Sequence, residues 1–178
     1  MTIVINDAGR EGADREVWDH YPEVGSLVER GGQVLVLSIL FTGDANPIHG
    51  DVARIGYMMS AIGEPPLGLE AAQLIGITRW AQQHWHPSET MLESSGCRMQ
   101  VVSLVAGALQ PSLFKSITIH GGMQSLSYLL ENSVTSGRVP DMFCRDLYKD
   151  FDLNMLKAMT EPASVTETDY VSPGHSNP

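Results

Sequence analysis

Cysteine is nearly absent: Cys97 and Cys144 are the only two in 178 residues. They lie far apart and neither has a CxxC partner, so neither a disulfide framework nor a structural zinc site is indicated, and both are expected to stay reduced. Basic residues are also scarce, 11 Lys+Arg against 21 Asp+Glu, which leaves a formal net charge of -10 spread along the chain. Tracking nucleic-acid phosphates takes clustered Lys and Arg, so no nucleic-acid partner is expected. Long apolar runs are missing as well. The most apolar stretch, Val34 to Phe41, is eight residues long and contains Ser38, far short of the ~20 residues that span a bilayer. The segment Met1-Thr2-Ile3-Val4-Ile5-Asn6-Asp7 has no basic n-region, so no secretory signal, no membrane and a cytoplasmic location are the expectations. No GxGxxG follows a strand. Gly63-Glu64-Pro65-Pro66-Leu67-Gly68 is no phosphate loop either, because proline donates no N–H and no Lys follows. No cofactor and no metal are expected.

What is present is a globular composition, 43% hydrophobic and 18% charged, with 17 Gly and 10 Pro to turn the chain often. The length fits one domain. Short β-branched apolar runs alternate with helix-period segments, the rhythm of parallel strands joined by crossover helices. Ile3-Val4-Ile5 is the first strand, followed by helical pattern from about 15 to 29. Gln33 to Leu40 reads as a second strand, apolar on both faces and therefore placed centrally. The turn-rich loop from Phe41 to Gly50 follows, then helical stretches at 52–62 and 67–83. Next come a strand at Glu89–Glu93, a tight turn at Ser94-Ser95-Gly96-Cys97, a helix from Arg98 to Leu109 and a strand at Leu113–His120. Amphipathic pieces at 125–130 and 139–159 complete a domain of residues 1–160. Residues 161–178, rich in Pro, Ser, Thr and acids, are expected to be a polar, loosely ordered tail. The fold class expected is a three-layer α/β/α sandwich with a mostly parallel sheet.

The unit from Met91 to Leu109 carries the chemistry. A strand, a sharp small-residue turn and an amphipathic helix can lift one side chain above a sheet, while the helix N-terminus offers N–H groups to a developing oxyanion. Around Ser95 the GxSxG pattern is not met, since Glu93 and Cys97 stand where glycines belong. Ser95 is read either as a nucleophile or as the helix N-cap. Cys97 is the alternative nucleophile, gaining thiolate character at a helix N-terminus beside Arg98, or else a buried small residue.

Taken together, Ile3-Val4-Ile5 with Asp7-Ala8-Gly9-Arg10, Gln33 to Leu40 with Phe41-Thr42-Gly43-Asp44, and the Met91 to Leu109 unit resemble the α/β-hydrolase superfamily. More closely, the order is similar to the divergent esterases related to acetyl xylan esterases and prolyl-oligopeptidase-type hydrolases. Ser103 to Phe114 and Asp141 to Asp152 belong to the same likeness, which spans roughly residues 2 to 160. The resemblance implies a carboxylic-ester hydrolase acting on a small-molecule ester such as an acetylated sugar. It places oxyanion donors at Ala8, Gly9 and Gly96, and a triad in the order nucleophile, acid, His. Asp169 and His175 are the acid and base that this order supplies, with His120 the other candidate base at the end of a strand. It also implies that the C-terminal part of the sheet is missing.

Bland readings stand beside these. His120 and His49 can be structural or surface residues, and His84 and His86 suit a helix C-terminus better than a metal. The scattered methionines read as core filling. The alternative function is a non-catalytic module of the hydrolase fold that binds a ligand or another subunit. A sheet lacking strands exposes an edge, so a homo-oligomer, or docking to another chain through that edge, is expected.

Overall fold

The computed structural model describes residues 1–10, 12, 28–29, 31–46, 52–137, 139–144 and 147–171. Five strands form one sheet: β1 (Thr2–Asn6), β2 (Val34–Leu37), β3 (Met91–Ser95), β4 (Ser116–His120) and β5 (Ser164–Thr168), in the spatial order β2-β1-β3-β4-β5. Every neighbouring pair is parallel, which requires a crossover at each connection. The helices are α1 (Val52–Ala61), α2 (Pro66–Trp85), α3 (Cys97–Leu109), α4 (Tyr128–Glu131), α5 (Leu147–Asp150) and α6 (Leu153–Met159). The α/β class with a parallel sheet is as expected.

The strands β3, β4 and β5 alternate. Leu92, Ile117 and Ile119 are fully buried on the face that carries α3, where Ile3 and Ile5 of β1 continue the same apolar surface. Each contributes about 1.5–3 kcal/mol by leaving water. The opposite face carries Glu93 and Ser95, then Ser116, Thr118 and His120, then Ser164, Thr166 and Thr168, and most of these are half-buried or exposed. Helix α3 lies against β3 and β4 and is flanked by α2 and α6. Gly107 permits that closeness, since a Cβ there would sit 2.8 Å from Ile117 Cδ1. Helix α2 opens with Pro66 at its first turn, where a missing N–H costs nothing. It ends at His86, which turns left-handed at φ 48°.

Several expectations need correction. The second strand is shorter than Gln33–Leu40 and lies at the sheet's edge, half-buried throughout. The chain leaves β1 outward to β2 and then crosses back over β1 to β3, so β1 rather than β2 is flanked on both sides. Ser94 and Ser95 belong to β3 rather than to a turn, paired with Ile5 and Asn6 on one side and Ile119 and His120 on the other. The segment expected to be a loose tail supplies β5, paired with β4 from Ser116↔Ser164 to His120↔Thr168. The parallel sheet thus runs past residue 160. Helical pattern expected at 15–29 falls largely outside the described residues. So does any helix layer it would put on the second face of the sandwich.

Candidate functional site

The carboxyl ends of β1 and β3 meet where the strand order reverses, the place where open α/β sheets form a crevice. Chain connectivity alone brings Asp7, Gly96 and the first turn of α3 together there. Gly96 is the whole turn: it has φ 95° and ψ 166°, a conformation that side-chain-bearing residues rarely adopt. In a nucleophile elbow the strained residue is the one that carries the nucleophile. Here that residue has no side chain.

The space over Gly96 belongs to Asp7. A Cβ on Gly96 would lie 2.2 Å from Asp7 Cγ. The Asp7 carboxylate accepts the backbone N–H of Met99 at 2.8 Å and of Arg98 at 3.2 Å. These are donors that the first turn of a helix leaves without intrahelical partners. Asp7 therefore caps α3 from another strand, and an internal anion fills the position that an oxyanion would take. Burial pushes its carboxyl up to about 6, against the opposing pull of those N–H groups and of Arg98.

The expected oxyanion donors are engaged as well. Ala8 N–H donates to Asn6 Oδ1 at 2.7 Å, Gly9 N–H to Asn6 O at 2.8 Å, and Gly96 N–H to His120 O at 2.9 Å. Ser95 is buried at the end of β3, on the face opposite α3. Cys97 opens α3 with its Sγ 3.7 Å from Gly121 O. Burial, reinforced by the Asp7 charge, pushes its thiol up to about 12. The Arg98 guanidinium expected to help it is committed elsewhere.

That commitment is the part the sequence reading missed. Arg98 turns inward and pairs with Asp141 through Nε at 2.7 Å, and it reaches Glu70 Oε1 at 3.9 Å and Phe41 O at 3.4 Å. Phe41 is itself buried in a left-handed conformation, φ 64°, which aims its carbonyl at the guanidinium. Glu70 is wholly buried and neither of its oxygens has a hydrogen-bond partner; Asp141 Oδ1 has none either. Burial, then the Asp141 charge, pushes the Glu70 carboxyl up to about 9, so it holds a proton at neutral pH. A signal existed: Glu70 sits in the apolar stripe Leu67, Ala71, Leu74, Ile75 of α2, where a charge does not belong.

A pH dependence follows. Glu70 and Asp7 both have folded-state values raised above their ordinary 4.5 and 3.8. Between those values and the raised ones the native state binds more protons than the unfolded chain, so stability falls as pH rises. Asp7 contributes this loss up to about pH 6 and Glu70 up to about pH 9. Urea titrations from pH 5 to 9.5 should show wild-type stability declining across that window, and Glu70→Gln should flatten the alkaline part of the decline. An equally steep curve for the variant would mean that Glu70 is not the group that titrates.

The remaining histidines are distributed. His120, at the end of β4, stands between Glu93 and Thr168: Nε2 lies 3.0 Å from Glu93 Oε2 and Nδ1 2.8 Å from Thr168 Oγ1. Asp169 follows β5, exposed, at φ 55°. His175 and His49 lie outside the described residues. His84 stacks on Trp80 with ring centroids 5.3 Å apart and meets Trp85 edge-on. Among the described residues no group of three or more His, Cys, Asp or Glu is placed to hold a metal ion, and no helix is long and apolar enough to cross a membrane.

No protein-family model matches the chain, and no curated protein does. The crystal structure of a candidate acetyl xylan esterase from Bacteroides fragilis is similar over 95% of this chain, at a TM-score of 0.74 and 14% sequence identity. This chain spans 51% of that protein. The likeness is one of fold: an esterase-like, hydrolase-type α/β arrangement.

Proposed function

We propose that this chain is a hydrolase-fold protein whose strand–turn–helix elbow is structural rather than catalytic, and that it acts as a ligand-binding or subunit-assembly module. The observation that carries this reading is the Asp7 carboxylate, which takes both the space of a side chain at Gly96 and the N–H groups of Arg98 and Met99. An oxyanion hole works by presenting unengaged donors to the charge that develops in the transition state. Donors already bonded to an internal carboxylate cannot do so. The assembly arm is supported by β2, an edge strand within a stretch, Gly31 to Gly43, that has no charged residue in a chain of net charge -10. Such an uncharged apolar edge is a pairing surface.

The competing reading is ester hydrolysis by Ser95, with the acetylated substrate named for the structural neighbour. An assay with p-nitrophenyl acetate on the wild type, Ser95→Ala and Cys97→Ala separates the two. Any turnover the wild type shows should be unchanged in both variants. Loss of turnover with either substitution would restore the elbow as an active site and overturn the proposal.

A further inference from the structure

The second face of the sheet holds a polar arrangement that the elbow does not use. Glu93 from the middle of β3, and His120 and Thr168 from the carboxyl ends of the next two strands, β4 and β5, form one hydrogen-bonded chain. A carboxylate only accepts, so in the neutral imidazole that bonds Glu93 the ring proton belongs on Nε2. In that tautomer Nδ1 carries the lone pair and stands 2.8 Å from the Thr168 hydroxyl, placed to accept its hydrogen. Hydroxyl, base and orienting carboxylate are thus in sequence, both links at hydrogen-bond distance, which is the relation by which an activated nucleophile is recognised whatever the fold or chain order. The His120 and Glu93 side chains keep 17% and 18% of their surface exposed, so water and small molecules can reach them. Beside them, among the described residues, a side chain added at Gly121 would come within 4 Å of Asp169 O alone, at 3.9 Å.

We propose that Glu93, His120 and Thr168 form a relay that makes Thr168 an acyl acceptor for small activated esters, at a site separate from the elbow. Thr168 Oγ1 attacks the ester carbonyl carbon while its proton passes to His120 Nδ1. The carbonyl–oxygen bond to the alcohol breaks, and the imidazolium returns the proton to the departing alkoxide, leaving acyl-Thr168. Water, losing a proton to the same nitrogen, then releases the carboxylic acid and restores the hydroxyl. Glu93 is a positioning residue: it touches no substrate and acts by setting the tautomer.

The test is acylation of the full chain by p-nitrophenyl acetate, with the modified residue located by peptide mass spectrometry and the fold of each variant checked by circular dichroism. One acetyl group on Thr168 is expected, absent in Thr168→Val. General-base help is typically worth 10²–10⁴-fold, so His120→Gln should slow acylation about 100-fold. Glu93→Gln, whose amide can donate to Nε2 and so move the ring proton to Nδ1, should slow it at least about 10-fold at unchanged melting temperature, and Glu93→Asp should recover part of the rate. No acetyl group on Thr168 of the folded wild type, or acylation indifferent to His120→Gln, would overturn the relay while leaving the elbow reading intact. Label on Ser95 or Cys97 would instead overturn the elbow reading.

Discussion

Arg98→Ala should lower the stability of this chain by about 3–5 kcal/mol, the usual result of removing one partner of a buried ion pair. The guanidinium is the cation that faces Asp141, Glu70 and Asp7 together. Without it Asp141 stays 2% exposed with its bound oxygen released and its other oxygen already unpartnered. A loss of that size is a large part of the roughly 5–15 kcal/mol that hold a domain together, so the variant is compared with a repaired one. Arg98→Met combined with Asp141→Asn removes the Asp141 charge along with the cation, Glu70→Gln keeps the neighbouring carboxyl neutral at every pH, and the triple variant should recover most of the urea midpoint. Arg98→Lys should not, because a point charge cannot reach Asp141 through one nitrogen and the Phe41 carbonyl through two others. A cost below about 1 kcal/mol for Arg98→Ala is the value of a solvated surface pair, and it would show that water reaches the cluster.

Gly96→Ala is the second large effect. The substitution puts a methyl group 2.2 Å from Asp7 Cγ and forces a side-chain-bearing residue to φ 95°. The backbone strain costs about 1–3 kcal/mol. If Asp7 then moves, two charge-assisted hydrogen bonds to the first turn of α3 go with it, each worth about 1.5–3 kcal/mol. The expected total is roughly 4–9 kcal/mol, read as a fall in the urea midpoint. Asp7→Gly clears the space but leaves the helix end uncapped. In a double-mutant cycle the pair should therefore cost clearly less than the sum of the two single variants. Strict additivity would mean that the carboxylate does not fill the turn.

Much of this fold can be read from residue patterns, and the failures have identifiable causes. Ile3-Val4-Ile5 and the Cys97–Leu109 helix are found because their apolar spacing is local and uninterrupted. Val34–Leu37 is misplaced to the sheet's centre because apolar residues on both faces say nothing about which strands lie alongside. Ser94 and Ser95 look like turn residues by chemistry, and only the pairing of β3 with β1 and β4 keeps them in the strand. Ser164–Thr168 escapes notice because it follows Pro162 and offers Val165 as its one aliphatic residue. The site suffers more than the fold. Asp7 is visible only as part of a loop, since its partner N–H groups belong to residues 91 and 92 positions later. Arg98 and Asp141, 43 residues apart, carry no periodic mark of their meeting.

The alternation in β3, β4 and β5 also polices assembly of the sheet. Leu92, Ile117 and Ile119 face α3, while Glu93, Thr118 and His120 face away. A slip of one residue in β3 or β4 would turn its polar set toward the helix and its aliphatic set toward water. Misregistered collapse products would then have to desolvate a carboxylate, a hydroxyl or an imidazole beneath the apolar flank of α3. The native register is therefore the one in which the strands and α3 bury aliphatic groups against each other.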